Sequence, residues 1–473
     1  MTYAFLFDAS ACSGCKACQA ACKDKNNLPL GVLWRRNYEV GGGEWMHTGD
    51  AWSSTVFAYY LSIACNHCVH PKCAGVCPVD AYTVRDDGIV LLDSSKCIGC
   101  GYCAWACPYG APQYDRMSGT MSKCNLCYDN LDTGLPPACV ASCPLRVLDL
   151  ADQSDLEEIG LRSHIVFPMP ITSRTEPRIF VKPHPAAGQS SQSPQVLNQE
   201  EIAPQRKHLP AWAAWEEIPL LGFTLLGQMA AGISWILGLF VLTGVGFSLF
   251  LHLAIGAILS LSLIISFLHL GMPGNAWRVF GNLRKSWLSR EILAAMVFSA
   301  LWAITTIPYL FSNSLAMAKP LLAGITGLAG AVLVFSMAEV YRLRMVPAWN
   351  TWRTKAVFFL SALILGGFSV GTGSVLTGML SVELTPLLRW IGLIAVPVLG
   401  LELALTISKK WRIKSVLSKI RLFVITLGIA GAALLAFGPV KDEAWSVCLV
   451  FLIVIFEQVI GRWLFYSSRN PSM

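Results

Sequence analysis

The chain has 473 residues, of which 54% are hydrophobic and 14% charged, with a formal net charge of +7. Those averages cover two unlike halves: 16 of the 17 cysteines lie before residue 144, and long apolar runs dominate from Trp212 onward. The length argues against a small secreted disulfide framework, the apolar runs argue against a uniformly soluble chain, and no nucleic-acid partner is expected.

The opening residues MTYAFLFDAS carry no basic region and no long apolar stretch, so no signal peptide is expected. Tyr3–Asp8 reads as a short strand leading into Cys12, Cys15, Cys18 and Cys22, a C-x2-C-x2-C-x3-C group. Arg35–Arg36 lies between two cysteine groups, too far in to act as an export signal, and Gly41–Gly43 reads as a turn. Cys65, Cys68, Cys73 and Cys77 form a second group with a four-residue middle gap, closed by Pro78. Its His67 and His70 are expected to make hydrogen bonds or face solvent, because four cysteines are already present. Gly88–Leu92 reads as another strand. It leads into Cys97, Cys100, Cys103 and Cys107, which repeat the first spacing with Pro108 appended. Cys124, Cys127, Cys139 and Cys143 stretch the middle gap to eleven residues and end in Pro144.

This is the thiolate spacing of 4Fe–4S cubanes, in which three cysteines on a tight loop hold three irons and the fourth ligates a neighbouring cluster. Sixteen ligands at four per cubane predict four clusters, enough for an electron relay. Structural zinc sites also use C-x2-C pairs but lack the C-x3-C-P endings. Residues 1–181 are therefore expected to form two pseudo-repeated bacterial-ferredoxin-like units.

Residues 182–211 are rich in Pro, Ser and Gln and read as a flexible linker without a core of its own. Residues 212–473 hold eight stretches near the ~20 residues that span a bilayer, roughly 218–241, 248–270, 291–312, 320–341, 356–377, 389–408, 422–438 and 444–466. Polar faces at helical spacing are almost absent from them, which argues against soluble helix packing. The expected fold class is α+β, an iron–sulfur domain joined to an all-α eight-helix transmembrane bundle.

An even number of spans places the second, fourth and sixth loops on the side of the cysteine domain. Those loops hold Arg278, Arg284, Lys285 and Arg290; Arg342, Arg344, Arg353 and Lys355; and Lys409, Lys410, Arg412, Lys414, Lys419 and Arg421. The other side has little beyond Lys319, Arg389 and Lys441. The positive-inside rule makes the cysteine side cytoplasmic; the alternative is that these cations dock an acidic partner subunit.

The histidines within spans are His252 and His269, both on the second, seventeen residues apart. At ~1.5 Å per residue they sit ~25 Å apart along one helix and cannot share an iron, so no haem b is expected. Ionisable residues in a membrane are functional candidates by default. Glu217, His269, Glu291 and Glu339 fall at span ends on the cysteine side, and Glu402, Glu457 and Arg462 lie in the same-side halves of later spans. A quinol losing two electrons must also lose two protons. His269 with Glu291 suits that task, since a histidine titrates near neutrality and a carboxylate can orient it. The alternative for each is a helix end resting in the headgroup zone. Cys448 reads as a small buried hydrophobe.

The stretch C65-N-H-C-V-H-P-K-C-A-G-V-C-P resembles the four-cluster iron–sulfur subunit of the dimethyl sulfoxide reductase type of molybdoenzyme. E217-I-P-L, F223-T-L-L-G-Q228, L268-H-L-G-M-P273, L288-S-R-E-I292, V346-P-A-W349 and I460-G-R-W-L-F-Y466 are similar, in order, to its membrane anchor subunit. The family usually keeps these as two chains; here they are fused. The resemblance implies four shared ligand sets: Cys12, Cys15, Cys18 with Cys143; Cys124, Cys127, Cys139 with Cys22; Cys65, Cys68, Cys73 with Cys107; and Cys97, Cys100, Cys103 with Cys77. It places the last two sets nearer the membrane and the first two nearer a separate molybdopterin subunit. It also implies menaquinol oxidation at His269, with the quinone pool as electron source; the ionisable residues named above, Glu217, Glu291, Glu402 and Glu457, are the further quinol-site candidates. Well-known relatives face outward, whereas the basic loops here share a side with the cysteines. The alternatives are the same relay run backward from a dehydrogenase, a polysulfide or thiosulfate reductase subunit, and a metal-regulated transporter. The transporter would need polar groups through the full membrane depth.

Overall fold

The opening strand expected from the sequence is present as β1 in the computed structural model, which describes residues 1–158, 166–170, 175–188, 194–198, 218–242, 249–310, 318–377, 381–407, 416–438 and 445–468. Two units emerge. The first comprises Met1–Ala214 with Leu270–Ser286, the second Trp215–His269 with Trp287–Met473.

In chain order the first unit holds β1 (Tyr3–Asp8), α1 (Ala17–Lys25), β2 (Arg36–Gly42), β3 (Trp45–Thr48), β4 (Ala51–Ser54), β5 (Phe57–Ile63), α2 (Lys72–Val76), β6 (Tyr82–Val84), β7 (Val90–Leu92), α3 (Tyr102–Ala106), β8 (Gln113–Asp115), β9 (Thr120–Ser122), α4 (Tyr128–Leu131), α5 (Ala138–Ala141), β10 (Leu148–Asp152), α6 (Gln153–Glu158), β11 (Ile179–Lys182) and β12 (Gln195–Val196). β1 is the centre of a three-stranded sheet, antiparallel to β10 and parallel to β11. β2 pairs antiparallel with β5 over seven residues, and β6–β7 and β8–β9 are short hairpins. Phe5, Phe7, Val40, Leu61, Ile89, Leu148, Ile179 and Val181 form the core on which the cysteine loops rest.

Besides Gly41 and Gly42, which continue β2 where a turn is expected, two segments depart from the sequence reading. Within the expected linker, Gln195 and Val196 add β12 to the edge of β2, and the Asn198 side chain donates to Asn37 O and accepts from Glu39 N–H. Edge pairing uses backbone groups, so it needs none of the apolar alternation by which a strand is recognised. The second is 270–286, which packs within the first unit although membrane helices flank it in the chain. Met272 N–H donates to Ile98 O at 3.1 Å. Asn275 Nδ2 donates to Ser95 O and Cys97 O, Asn282 Nδ2 to Cys77 O at 2.7 Å, and Ser286 Oγ to Val76 O. Gly271 makes the approach possible, since a Cβ there would lie 1.9 Å from Gly119 O.

The second unit is helical: α7 (Ile218–Leu242), α8 (Leu249–Phe267), α9 (Trp287–Leu310), α10 (Ala318–Tyr341), α11 (Trp352–Leu376), α12 (Ser381–Ile407), α13 (Val416–Phe437) and α14 (Ser446–Ser467). Among the described residues these are eight helices long and apolar enough to cross a membrane. They expose large apolar side chains such as Leu239, Leu321 and Leu452, as a lipid-facing surface requires. Small residues let their backbones meet, Gly232 of α7 lying against Ala362 and Gly366 of α11.

Candidate functional site

The first C-x2-C pair of each group turns the same way. The residue before the second cysteine is left-handed in each: Gly14 (φ 71°), His67 (φ 41°), Gly99 (φ 71°) and Leu126 (φ 61°). Glycine adopts that backbone freely, while His67 and Leu126 adopt it against steric preference. The turn aims backbone donors at sulfur: Gly99 N–H at Cys97 Sγ, 3.3 Å, and Leu126 N–H at Cys124 Sγ, 3.4 Å. The third cysteine of each group rides on a short helix, Cys18 on α1, Cys73 on α2, Cys103 on α3 and Cys139 on α5. Further donors reach the fourth positions, Ala81 N–H to Cys77 Sγ and Ala111 N–H to Cys107 Sγ.

The sixteen thiols gather into four sets, and in each the fourth cysteine comes from another group. Cys12, Cys15, Cys18 and Cys143 line one pocket. Cys65, Cys68, Cys73 and Cys107 line another. Cys22 feels the charges of Cys139 and Cys127, and Cys124 those of Cys22 and Cys139. Cys77 and Cys97 act on Cys100, and Cys100 and Cys77 act on Cys103. This is the grouping implied by the resemblance. The sets also have an order, because Cys103 feels Cys73 and Cys124 feels Cys65.

Burial pushes the Cys22, Cys68 and Cys100 thiols up to about 12, with neighbouring thiols adding to the shift. Four thiols so placed resist ionising together unless positive charge is supplied among them, which iron does. The donor set therefore fits a cluster: buried sulfurs, amide N–H groups directed at them, and space between. Among the described residues no three His, Cys, Asp or Glu side chains converge as a single-ion site requires. His67 is buried, its Nδ1 accepting from Val90 N–H at 3.0 Å, and His70 faces solvent near Glu176.

In the second unit, His269 Nδ1 and Glu291 Oε1 are buried and without hydrogen-bond partners among the described residues. No bond joins the two to each other. Glu291 is 3% exposed and lies within electrostatic reach of Tyr341 and Tyr466, whose hydroxyls are 3.0 Å apart. Glu217 falls outside the described residues.

Glu402 and Glu457 are committed to partners. Arg421 Nη2 donates to Glu402 Oε1 at 2.9 Å and its Nε to Glu457 Oε1 at 2.8 Å, while Gln458 Nε2 bridges the two carboxylates. Arg421 thus sits inside α13 and not in a loop, correcting its sequence assignment; a paired charge can be buried where a lone one cannot. Arg462 donates to Gln228 Oε1 at 2.8 Å and lies over Phe358. Glu339 is engaged by Arg342 and Lys355. His252 lies against Tyr309, the rings tilted by 31° with centroids 3.8 Å apart. Sequence reasoning missed Asn275, Asn282 and the interior position of Arg421, since no local pattern distinguishes them.

The DMSO reductase anchor subunit (DmsC) profile matches residues 212–467 and the 4Fe-4S dicluster domain profile residues 56–153. One chain of the anaerobic dimethyl sulfoxide reductase of Escherichia coli (strain K12) is 48% identical over 182 residues, 38% of this protein and 89% of that one. The formate dehydrogenase iron-sulfur subunit of Wolinella succinogenes is 38% identical over 34% of this chain and 86% of its own length. One of the tetrathionate reductase subunits of Salmonella typhimurium is 41% identical over 30% and 54%.

Proposed function

Because the chain belongs to the DMSO reductase anchor subunit family and carries an iron–sulfur domain similar to a chain of that enzyme on the same polypeptide, we propose that it oxidises menaquinol and delivers the electrons to a separate molybdopterin subunit reducing dimethyl sulfoxide or a related S- or N-oxide. The four cysteine sets would hold four 4Fe–4S clusters, each supplying one-electron transfer when bound.

The observation that carries this reading is the docking of 270–286 on the third and second cysteine groups, with Asn275 and Asn282 bonded to the Cys97 and Cys77 carbonyls. His269 is joined to that segment by one peptide bond. Met272 lies three positions further on, and three extended residues cover at most about 11 Å. His269 Nδ1 and Glu291 Oε1 retain unused hydrogen-bonding capacity. His269 would take a quinol proton, and Glu291 would accept a hydrogen bond from the quinol or receive the second proton. Glu402 and Glu457, held by Arg421, suit a structural role better. The basic loops favour a cytoplasmic iron–sulfur domain.

Menaquinol-dependent cluster reduction in anaerobic membranes tests the reading, and its absence in protein with full iron content would count against it. The likeness to a formate dehydrogenase subunit supports a second direction, electrons flowing from a dehydrogenase into quinone. Redox titration of the quinone pool separates the two.

A further inference from the structure

Arg35 is 1% exposed and, among the described residues, no carboxylate pairs with it. A guanidinium buried in that way is costly unless other negative charge surrounds it. Its Nη1 donates to Ser62 Oγ at 3.2 Å and Ser62 O at 3.3 Å, and the same Ser62 Oγ lies 3.3 Å from Cys18 Sγ. The guanidinium carbon lies 4.4 Å from the Phe5 ring centroid, while Nε and Nη2 are buried with no hydrogen-bond partner among the described residues. The charges it feels are those of Cys139, Cys18, Cys124 and Cys22, sulfurs of two different sets. The next residue serves elsewhere: Arg36, the first residue of β2, donates its Nη2 to Tyr109 O near Cys107.

We propose that Arg35 is a shared electrostatic control residue for two clusters, the one held by Cys12, Cys15, Cys18 and Cys143 and the one held by Cys124, Cys127, Cys139 and Cys22, and raises the reduction potentials of both together. The inference rests on the cysteine assignment above. Each cluster gains negative charge on taking an electron, and a fixed cation in a low-dielectric interior favours that reduced form. Standing between the two sets, Arg35 acts on both, so neither becomes a trap for the electron relative to the other. Its two unused donors are available to sulfur on either side.

The test is a redox titration of the anaerobic full-length protein followed by electron paramagnetic resonance, beside iron analysis. In Arg35→Met and Arg35→Gln the oxidised-to-reduced ratio of both clusters at the parent's midpoint should rise at least tenfold, a fall of 59 mV for one electron. The other two clusters should change less than threefold. Full iron with unchanged potentials, a shift in one cluster of the pair, or an equal shift in all four overturns the proposal. If neither neutral variant assembles the pair while Arg35→Lys does, a cation is required there and the proposal stands; if Arg35→Lys also fails, charge is not the cause and it falls. A parent protein with far fewer than sixteen irons would instead refute the cysteine assignment.

Discussion

His269 Nδ1 and Glu291 Oε1 are buried polar atoms that the fold leaves without partners among the described residues, and such atoms carry a standing cost unless a ligand meets them. His269→Ala and Glu291→Gln should therefore each slow menaquinol oxidation at least tenfold, at the low end of what a positioned acid–base group supplies, with iron content unchanged. Quinol oxidation at the parent rate in both variants would move the site elsewhere. Gly271 makes a different demand. Its missing Cβ admits Gly119 O, so Gly271→Ala should weaken the docking of 270–286 by about 1–3 kcal/mol, read as faster hydrogen exchange at the Met272 amide. The sequence singles out His269 because an ionisable side chain among apolar ones stands out. It does not single out Asn275 and Asn282, because the carbonyls they bond come from about 180 and 205 positions away.

At the scale of elements, α13 begins at Val416, earlier than the span expected from 422. Lys419 and Arg421 depress the local hydropathy, and only the fold shows that Arg421 has two carboxylates to meet. Arg421→Met should cost about 3–5 kcal/mol, because it strands Glu402 and Glu457 as buried charges. Thermal unfolding in detergent would show it as a lowered midpoint, while an unchanged midpoint would mean that the carboxylates find other partners. The eight helices themselves were legible from length and hydropathy, since a bilayer imposes both. The cysteine loops were legible from spacing alone. β12 was not, because two residues pairing through their backbones leave no side-chain pattern.

For the molecule as a whole, sixteen cysteines in four sets predict iron and acid-labile sulfide near sixteen of each per chain in anaerobic preparations; stoichiometric zinc with little iron would end that reading. If quinol protons leave on the face where the terminal reduction takes protons up, turnover should be electroneutral, and net charge movement in oriented vesicles would contradict it. The docked segment 270–286 bears also on the fusion itself. The matched chain of the Escherichia coli enzyme aligns with only the first part of this polypeptide. Here, Asn275, Asn282, Ser286 and Met272 supply an attachment independent of residues 182–211. The join then acts as an effective-concentration device, favouring an assembly that these bonds would make between separate chains. A protease site inserted near residue 190 and cut after folding should leave both fragments migrating together, and dilution should separate them only when the docked segment has been weakened as well.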